Sequence, residues 1–527
     1  MSFFPATIPT NTLLYHGTHT NETVKGMEWL AFEIEHAEMF ARARGPGRGG
    51  PGGPGGKPPN GPPPDGERPP PFARGEEGDT SPPYPFHEGE DSPYHFNEEE
   101  QPGISRDTNE DEESHGYLHI YQTLHPLTKL LYIDGMSAAK CPLGTLDTTD
   151  VILLNNSLSF SSTFDHHPGN HAAEEDSEPE KPKPTHPNSD YARAQGLCVL
   201  AEEWGVQGFI RMEAGFELIL CDFSSHVKLI AANQRRDPPR SDGERGPPGD
   251  VKEGETDVAG FEYLRGLEQR YNGITNKRIV VDYSRMVSVY FYPEVNLTNP
   301  NGERAELPRL SEEESLEFVK DAVGETFKSE GNGDESVDWQ GVADMIISRY
   351  TTRLPFLLQL SNSNSSTSVS TALGVVGVLL DVFIDYGNVN LTTSAGKCAG
   401  QYLRPIVSGE GLKTKADHLI HDSLLIVTSK ICDTLFDVRE SLLSTESSTE
   451  GESSLDVEVG EKISTLIDYL NWATWKECGK CDIDQVCFVA IWPWGDVDDH
   501  DHPKCVGVGG MARSRRGYWN TAWGRKN

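Results

Sequence analysis

A run of proline and glycine, GPGRGGPGGPGGKPPNGPPPDGERPPP from Gly45, restricts how this chain can fold more than any other feature. Proline has no amide hydrogen to donate and glycine adds no side chain to a core, so the run favours neither a helix nor a central strand. Similar compositions, rich in proline, glycine and acidic residues, cover Gly45–His115, Asp165–Asp190 and Arg235–Glu255. Too few apolar residues remain there to offset the entropy of ordering. We therefore predict disordered inserts near 45–115 and 165–190.

The rest of the sequence predicts two ordered units separated by a linker at 236–258. In residues 1–235, LLYHGT from Leu13 is the first predicted strand. The further predicted strands are GMEWLAFE, the strand-rich YLHIYQTLHPLTKLLYID with a break near Pro126, VQGFIRMEAG and FELILCDFSSHVKLI. DYARAQGLCVLAEEW is a helix that Gly205 ends. Residues 259–527 are mainly helical and close with a segment rich in cysteine and tryptophan. The predicted fold class is α+β, with an N-terminal split β-sheet unit followed by a helical unit.

Charge argues against DNA as a partner, because the formal net charge is −36 and binding phosphates requires clustered lysine and arginine. The longest apolar run, TALGVVGVLLDVFIDYG, is interrupted by Asp381 and Asp385 and is too short to span a bilayer, so no membrane partner is predicted. No secretory signal is visible at the N-terminus, which makes the cytoplasm the default location. Under that expectation the glycosylation sequons at Asn296 and Asn390 have no significance.

Nine cysteines in 527 residues do not predict a disulfide scaffold. Cys198 and Cys221 lie in apolar contexts, where buried free thiols are expected. The exception is the C-terminal group of Cys478, Cys481, Cys487 and Cys505, in which the first two have CxxC spacing. Thiolates at such spacing suit tetrahedral zinc. Core thiols or a disulfide fit the same residues, because FVAIWPWG between them has the pattern of a buried strand.

The order of parts in the N-terminal unit resembles the ADP-ribosyltransferase fold. A first strand ending in a His-Gly pair is matched by Tyr15-His16-Gly17, and a strand and helix bearing an aromatic residue by EWLAFEIEHAEMF. A glycine-led strand pair carrying an acidic residue is matched by WGVQGFIRMEAGFELILCDF. The resemblance implies that His16 holds the nicotinamide ribose of NAD and that Glu217 polarises the ribose hydroxyl. A turn histidine and a solvent-facing strand residue are the structural alternatives.

A second resemblance covers nearly the whole chain. The blocks GMEWLAFEIEHA, LYIDGMSAAK, LAEEWGVQGFIRMEAGFE, RMVSVYFYPEVNLTNP, VDWQGVADMIISRY, WATWKECGKC and QVCFVAIWPWGDVDDHDHPKC are similar to those of fungal proteins that include the arginine-containing cyclodipeptide synthases. This resemblance implies a tRNA-dependent synthase that joins arginine and a second amino acid, each carried by its tRNA, into a cyclo-Arg-Xaa diketopiperazine in secondary metabolism. It implies no cofactor.

Such chemistry needs a base for the attacking amine and a group that recognises arginine. His16, Glu213 and Glu217 are the candidate bases. Asp496, Asp498 and Asp499 are candidates for binding the arginyl guanidinium, because carboxylates pair with it in bidentate fashion; an acidic turn before Pro503 is the structural alternative. Three functions stay open at this point: the synthase, an NAD-dependent transferase using His16 and Glu217, and a non-catalytic interaction protein with acidic disordered segments.

Overall fold

The computed structural model describes residues 2–41, 115–136, 149–154, 190–213, 215–235, 258–268, 276–298, 316–328, 337–362, 368–408, 412–447, 457–489, 498–499 and 502–509. The predicted inserts near 45–115 and 165–190 lie outside these residues, apart from their last residues, His115 and Asp190. All of the predicted linker except its last residue, Val258, also lies outside them.

Most strands of the described part join one large sheet. The strands are β1 (Ser2–Ile8), β2 (Leu13–Thr18), β3 (Glu28–Ala31), β4 (Tyr117–Thr123), β5 (Leu127–Met136), β6 (Gly208–Glu213), β7 (Gly215–Leu220), β8 (Val227–Gln234), β9 (Val280–Val281), β10 (Val287–Ser288), β11 (Gln485–Phe488) and β12 (Lys504–Gly507). The order in the sheet is β10-β1-β5-β6-β7-β3-β2-β4-β8, and β9 also pairs with β1. Among these pairs only β5–β6 is parallel. The remaining two strands, β11 and β12, form a separate antiparallel hairpin.

The first strand, β1, lies upstream of the one that the sequence predicts as first. Its residues Phe3, Phe4, Ala6 and Ile8 are buried, and it pairs with β5 on one side and with β9 and β10 on the other. The sequence did not predict this strand because it contains Pro5. Proline donates no hydrogen bond to a neighbouring strand and is usually confined to the edges of sheets. The sheet therefore takes strands from both sides of the predicted linker.

The helices are α1 (Ile34–Glu38), α2 (Thr149–Leu154), α3 (Asp190–Trp204), α4 (Phe223–His226), α5 (Val258–Glu268), α6 (Glu317–Lys328), α7 (Trp339–Tyr350), α8 (Arg353–Ser361), α9 (Ser368–Leu380), α10 (Leu391–Ala399), α11 (Arg404–Ser408), α12 (Lys415–Ser447) and α13 (Val457–Leu470). The predicted end of α3 is confirmed, since Gly205 adopts φ +67°. The α+β class and the mainly helical C-terminal part are confirmed as well.

Apolar side chains pack on both faces of the sheet and among the C-terminal helices. One face buries Leu14, Leu30, Ile210 and Leu218 beneath α5 and the β11–β12 hairpin. The other face packs against α2, α3 and α6. Helices α7–α10, α12 and α13 surround a third cluster. No helix within the described ranges is long and apolar enough to cross a membrane.

The described cysteines are all paired, which corrects the sequence-based expectation. Four disulfides join Cys198 to Cys221, Cys398 to Cys432, Cys478 to Cys487, and Cys481 to Cys505. The prediction of free thiols at Cys198 and Cys221 is therefore wrong. Helix α3 packs on the sheet face next to the end of β7, and this long-range packing brings the two sulfur atoms together.

Candidate active site

A row of cross-strand neighbours places two charged residues inside the sheet. Tyr15 on β2 pairs with Ala31 on β3, Ala31 pairs with Glu217 on β7, and Glu217 pairs with Arg211 on β6. Residues that pair directly across strands project from the same face. Glu217 and Arg211 are therefore brought together by strand register, within a sheet whose other residues at this depth are apolar.

Glu217 and Arg211 form a buried ion pair. The Arg211 Nε atom donates to Glu217 Oε1 at 2.6 Å, and both side chains are almost completely buried. Burial alone would raise the pKa of Glu217, but the charge of Arg211 and the hydrogen bond with His36 outweigh it and lower the pKa. The site therefore holds an ionised carboxylate that faces His36.

His36 on α1 links this carboxylate to a tyrosine. Its Nε2 atom lies 3.5 Å from Glu217 Oε2, and its Nδ1 atom lies 3.0 Å from the hydroxyl of Tyr263 on α5. An ionised carboxylate only accepts hydrogen bonds, so Nε2 of His36 carries a proton toward Glu217. When the ring is neutral, Nδ1 is unprotonated and accepts from the Tyr263 hydroxyl. The three side chains form a relay from carboxylate to imidazole to phenol, all of them buried.

Gly215 and Glu33 shape the space around His36. A Cβ atom at position 215 would lie 2.3 Å from Cγ of the His36 ring, so only glycine leaves room for the imidazole. Glu33 accepts a hydrogen bond from the Phe216 backbone N–H at 2.9 Å. Burial raises the pKa of Glu33 to about 7, although the nearby His36 charge and the Phe216 N–H act in the opposite direction.

The predicted site residue His16 lies in a different cluster. Its Nδ1 atom donates to the Trp29 carbonyl oxygen at 2.8 Å, and its ring contacts those of His119 and Phe223. Burial lowers the pKa of His16 to about 4, so the ring is neutral at physiological pH with Nε2 as the unprotonated nitrogen. A base this weak is poorly matched to proton abstraction near neutral pH.

The structure does not bring His16 and Glu217 together. Tyr15 shares a face with Glu217, and successive residues of a strand project from opposite faces, so His16 belongs to the other face. The two side chains also have separate contacts, His16 with Trp29, His119 and Phe223, and Glu217 with Arg211 and His36. The third predicted base, Glu213, is the last residue of β6, and its side chain lies outside the described part.

The predicted guanidinium site is partly described and already holds a cation. Lys504 Nζ lies 2.8 Å from Asp499 Oδ1 and 3.8 Å from Asp498 Oδ2, and His502 Nδ1 lies 3.2 Å from Asp498 Oδ1. Asp496 lies outside the described residues. An arginyl substrate would have to compete with Lys504 for these carboxylates.

The zinc candidates form two disulfides. Cys478, Cys481 and Cys505 have sulfur atoms close enough together for one ion, but Cys478 is bonded to Cys487 and Cys481 to Cys505. Because zinc binds thiolates, these bonds remove the ligands that the sequence suggested. Of the alternatives that the sequence left open for these residues, the structure has disulfides. Cys487 on β11 and Cys505 on β12 lie opposite one another, and each is bonded to one cysteine of the CxxC pair.

The stapled hairpin packs against the helix that carries Tyr263. Cys487 N donates to Glu268 Oε1 at 3.1 Å, and Arg265 donates to the Ile483 carbonyl oxygen at 3.2 Å. Val486 and Phe488 join the same apolar cluster as Tyr263. The hairpin thus holds α5 in place over the relay.

Sequence reasoning found Glu217 but missed its partners Arg211, His36 and Tyr263. Arg211 could have been noticed, because FIRME places a charge inside a strand that is otherwise apolar. His36 and Tyr263 carry no comparable signal. They are separated by 227 residues and meet only through the packing of α1 against α5.

Comparisons with known proteins reveal relatives without an assigned activity. Residues 1–240 match the family described as the YPL277C N-terminal domain. The chain is 26% identical over 565 aligned positions to "Uncharacterized protein YOR389W" of Saccharomyces cerevisiae, covering 96% of this chain and 81% of that protein. It is also 26% identical to "Uncharacterized protein YPL277C" of the same yeast, over 72% of this chain and 75% of that protein. No solved structure is a significant match.

Proposed function

We propose that this chain is an acyl-transfer enzyme in which Glu217, His36 and Tyr263 relay a proton. The observation that carries the proposal is the hydrogen-bonded order of carboxylate, imidazole and hydroxyl. A hydroxyl beside a base that is itself oriented by a third group is the general arrangement of activated acyl-transfer sites. Nδ1 of His36 can take the phenolic proton of Tyr263 while Glu217 stabilises the resulting imidazolium.

Aminoacyl-tRNA is the donor that the resemblance to arginine-containing cyclodipeptide synthases implies. Its ester is already activated, so the enzyme has to orient two esters and move protons. Tyr263, acting through His36, would remove a proton from the attacking amine and return one to the departing ribose hydroxyl. The product would be cyclo-Arg-Xaa, and a cytoplasmic location would follow from this donor.

Access to Tyr263 requires movement. The residue is 5% exposed, and the hairpin packs against its helix. An ester reaches the hydroxyl only when α5 shifts away from α1, as lids and loops do in other enzymes. Turnover would then depend on how firmly the hairpin holds α5.

The direct test incubates the full chain with arginyl-tRNA and each of the other charged tRNAs, with mass spectrometry of the products. We expect a cyclo-Arg-Xaa product, and we expect Tyr263→Phe and Glu217→Gln to reduce its rate by about 100-fold or more, the scale of acid–base contributions. Tyr350→Phe is the matched control, because Tyr350 is a buried tyrosine of the separate helical cluster.

The possible outcomes test the tRNA-dependent donor and the proton relay separately. No diketopiperazine with any charged tRNA would overturn the tRNA-dependent donor. Equal activity of Tyr263→Phe and Tyr350→Phe would overturn the relay. Nicotinamide release from NAD, lost on His16→Ala, would favour the ADP-ribosyltransferase-like alternative, although His16 and Glu217 lie on opposite faces. Partner capture that disappears when residues 45–115 are deleted would favour the interaction protein.

A further inference from the structure

The pairing of the described cysteines has a consequence for where the chain folds. Eight of the nine cysteines are in disulfides, and the ninth, Cys141, lies outside the described residues. The bonds are spread over the molecule: one ties α3 to the end of β7, one ties α10 to α12, and two staple the C-terminal hairpin. Disulfides persist in oxidising compartments and are rare where glutathione keeps thiols reduced. The sequons are therefore candidate glycosylation sites, because oxidising compartments of the secretory pathway also carry out N-linked glycosylation.

The described part of the chain has exposed sequon residues at Asn21, Asn296 and Asn390, and we consider Asn390 because it begins a helix that a disulfide holds. Asn390, Leu391 and Thr392 form the sequon, and Asn390 and Thr392 are both exposed. Asn390 caps α10, accepting through Oδ1 from the Thr393 backbone N–H at 2.9 Å. A glycan is attached through Nδ2, so the cap and the modification use different atoms of the same side chain.

The loop before Asn390 exposes apolar side chains that a glycan would cover. Val382 is 72% exposed, Tyr386 61% and Val389 56%. These side chains lie within eight residues of Asn390 along the chain, so a sugar attached there could pack its C–H faces on them. The Cys398–Cys432 disulfide fixes α10, which begins at this site, to α12.

We propose that this chain folds in an oxidising compartment of the secretory pathway and carries an N-linked glycan on Asn390. In the transfer step, Nδ2 of Asn390 forms a bond to the anomeric carbon of a lipid-linked oligosaccharide diphosphate. The bond from that carbon to the diphosphate oxygen breaks, the lipid diphosphate leaves, and Nδ2 loses one proton. Each cysteine pair gives two electrons and two protons to the disulfide of an exchange oxidoreductase, which becomes a dithiol.

This inference does not depend on the proposed acyl-transfer relay, but it excludes the aminoacyl-tRNA donor and the cytoplasmic location proposed with that relay. The donor is excluded because charged tRNA is confined to compartments where translation takes place. A glycosylated enzyme would take its acyl group from an ester other than aminoacyl-tRNA. The relay and the glycan therefore stand or fall in separate experiments.

The test produces the full chain in yeast cells behind a cleavable secretion leader, and examines both the medium and the cell extract. We expect peptide-N-glycosidase to lower the mass and to convert Asn390 to aspartate in the mapped peptide. Thr392→Ala should abolish this glycan while leaving the Asn390 cap intact, and Asn390→Gln should abolish it as well. Asn388→Gln is the matched control, because Asn388 is an exposed neighbour outside any sequon and should retain the glycan.

Thiol alkylation without reductant gives the second measurement. The secreted chain should leave the eight paired cysteines unlabelled, whereas the chain made in a reducing cytosol should label them and melt at a lower temperature. Two results would overturn the proposal. One is an unmodified Asn390 in the folded, secreted chain. The other is a cytosolic chain with these eight thiols free and an unchanged melting temperature.

Discussion

At the scale of single residues, Gly215 is the position most sensitive to a small change. Gly215→Ala places a methyl group 2.3 Å from the His36 ring. The ring has to move away from Glu217 and Tyr263, and we expect the free energy of unfolding to fall by about 1–3 kcal/mol, as for other overpacked sites. Urea denaturation measures the change.

Gly374→Ala provides the comparison for that substitution. Gly374 lies within α9, and a Cβ atom there meets nothing within 4 Å. Alanine should be neutral there or stabilise by about 0.5–1 kcal/mol, because glycine costs backbone entropy in a helix. A Gly215→Ala protein as stable as Gly374→Ala would show that the His36 ring tolerates displacement.

Two partly buried groups, Glu33 and His16, should make the free energy of unfolding depend on pH in opposite directions. Burial raises the pKa of Glu33 from 4.5 to about 7, so its contribution to stability is fully present below pH 4.5 and is lost as the pH rises toward 7. Burial lowers the pKa of His16 from 6.5 to about 4, so its contribution is present above pH 6.5 and is lost as the pH falls toward 4.

Thermal melts of two variants across this pH range separate these contributions. Glu33→Gln should remove part of the loss of stability between pH 4.5 and 7, and His16→Gln should remove part of the loss between pH 6.5 and 4. If a variant shows the same dependence of melting temperature on pH as the wild type, the replaced residue has the same pKa in the folded and the unfolded chain.

At the scale of elements, β1 joins strands from distant parts of the chain, because it pairs with β5 on one side and with β9 and β10 on the other. Phe3 is 1% exposed and lies in this strand. Phe3→Ala should therefore cost about 3–5 kcal/mol of unfolding free energy, the range for a buried phenylalanine. Phe356→Ala is the control, because Phe356 is 41% exposed and its loss should matter little. Equal costs in chemical denaturation would contradict the placement of β1.

The disulfide between α10 and α12 should stabilise the helical part. Its cysteines are 34 residues apart, and closing a loop of this size restricts the unfolded chain by about 3–4 kcal/mol. Replacing Cys398 and Cys432 together by serine should lower the melting temperature of the oxidised protein. The reduced wild type should melt at a still lower temperature, because it loses the other three bonds too. An unchanged melting temperature of the double variant would mean that packing alone holds these helices.

At the scale of the whole molecule, the formal net charge of −36 should make stability depend on salt. Like charges repel one another in the compact state, and about 1 M salt shortens the screening length to about 3 Å. We expect the melting temperature to rise with sodium chloride concentration. The same salt should weaken any binding of tRNA, since phosphate contacts release counterions. A melting temperature that falls with salt would show that favourable surface ion pairs such as Lys462–Asp437 outweigh the net repulsion.

Local patterns of the sequence determined most of the elements of this protein. Apolar segments predicted strands at β2 through β6, and the helical spacing and Gly205 predicted α3 and its end. These features depend on neighbours a few residues apart, so they can be predicted from the chain alone. The single strand predicted for FELILCDFSSHVKLI is divided into β7, α4 and β8. Glu217 was named as a candidate through the resemblance to the ADP-ribosyltransferase fold, which has an acidic residue in the corresponding strand pair.

Only the tertiary structure decided β1, the relay and the cysteine pairs. Pro5 argues locally against a strand, and pairing with β5, β9 and β10 overrides it. His36 meets Tyr263, and Cys481 meets Cys505, because strand register and helix packing bring distant segments to the same place. Spacing along the chain does not encode those distances. The sequence therefore left zinc, core thiols and a disulfide open for the C-terminal cysteines, and it predicted free thiols at Cys198 and Cys221, where the folded protein has a disulfide.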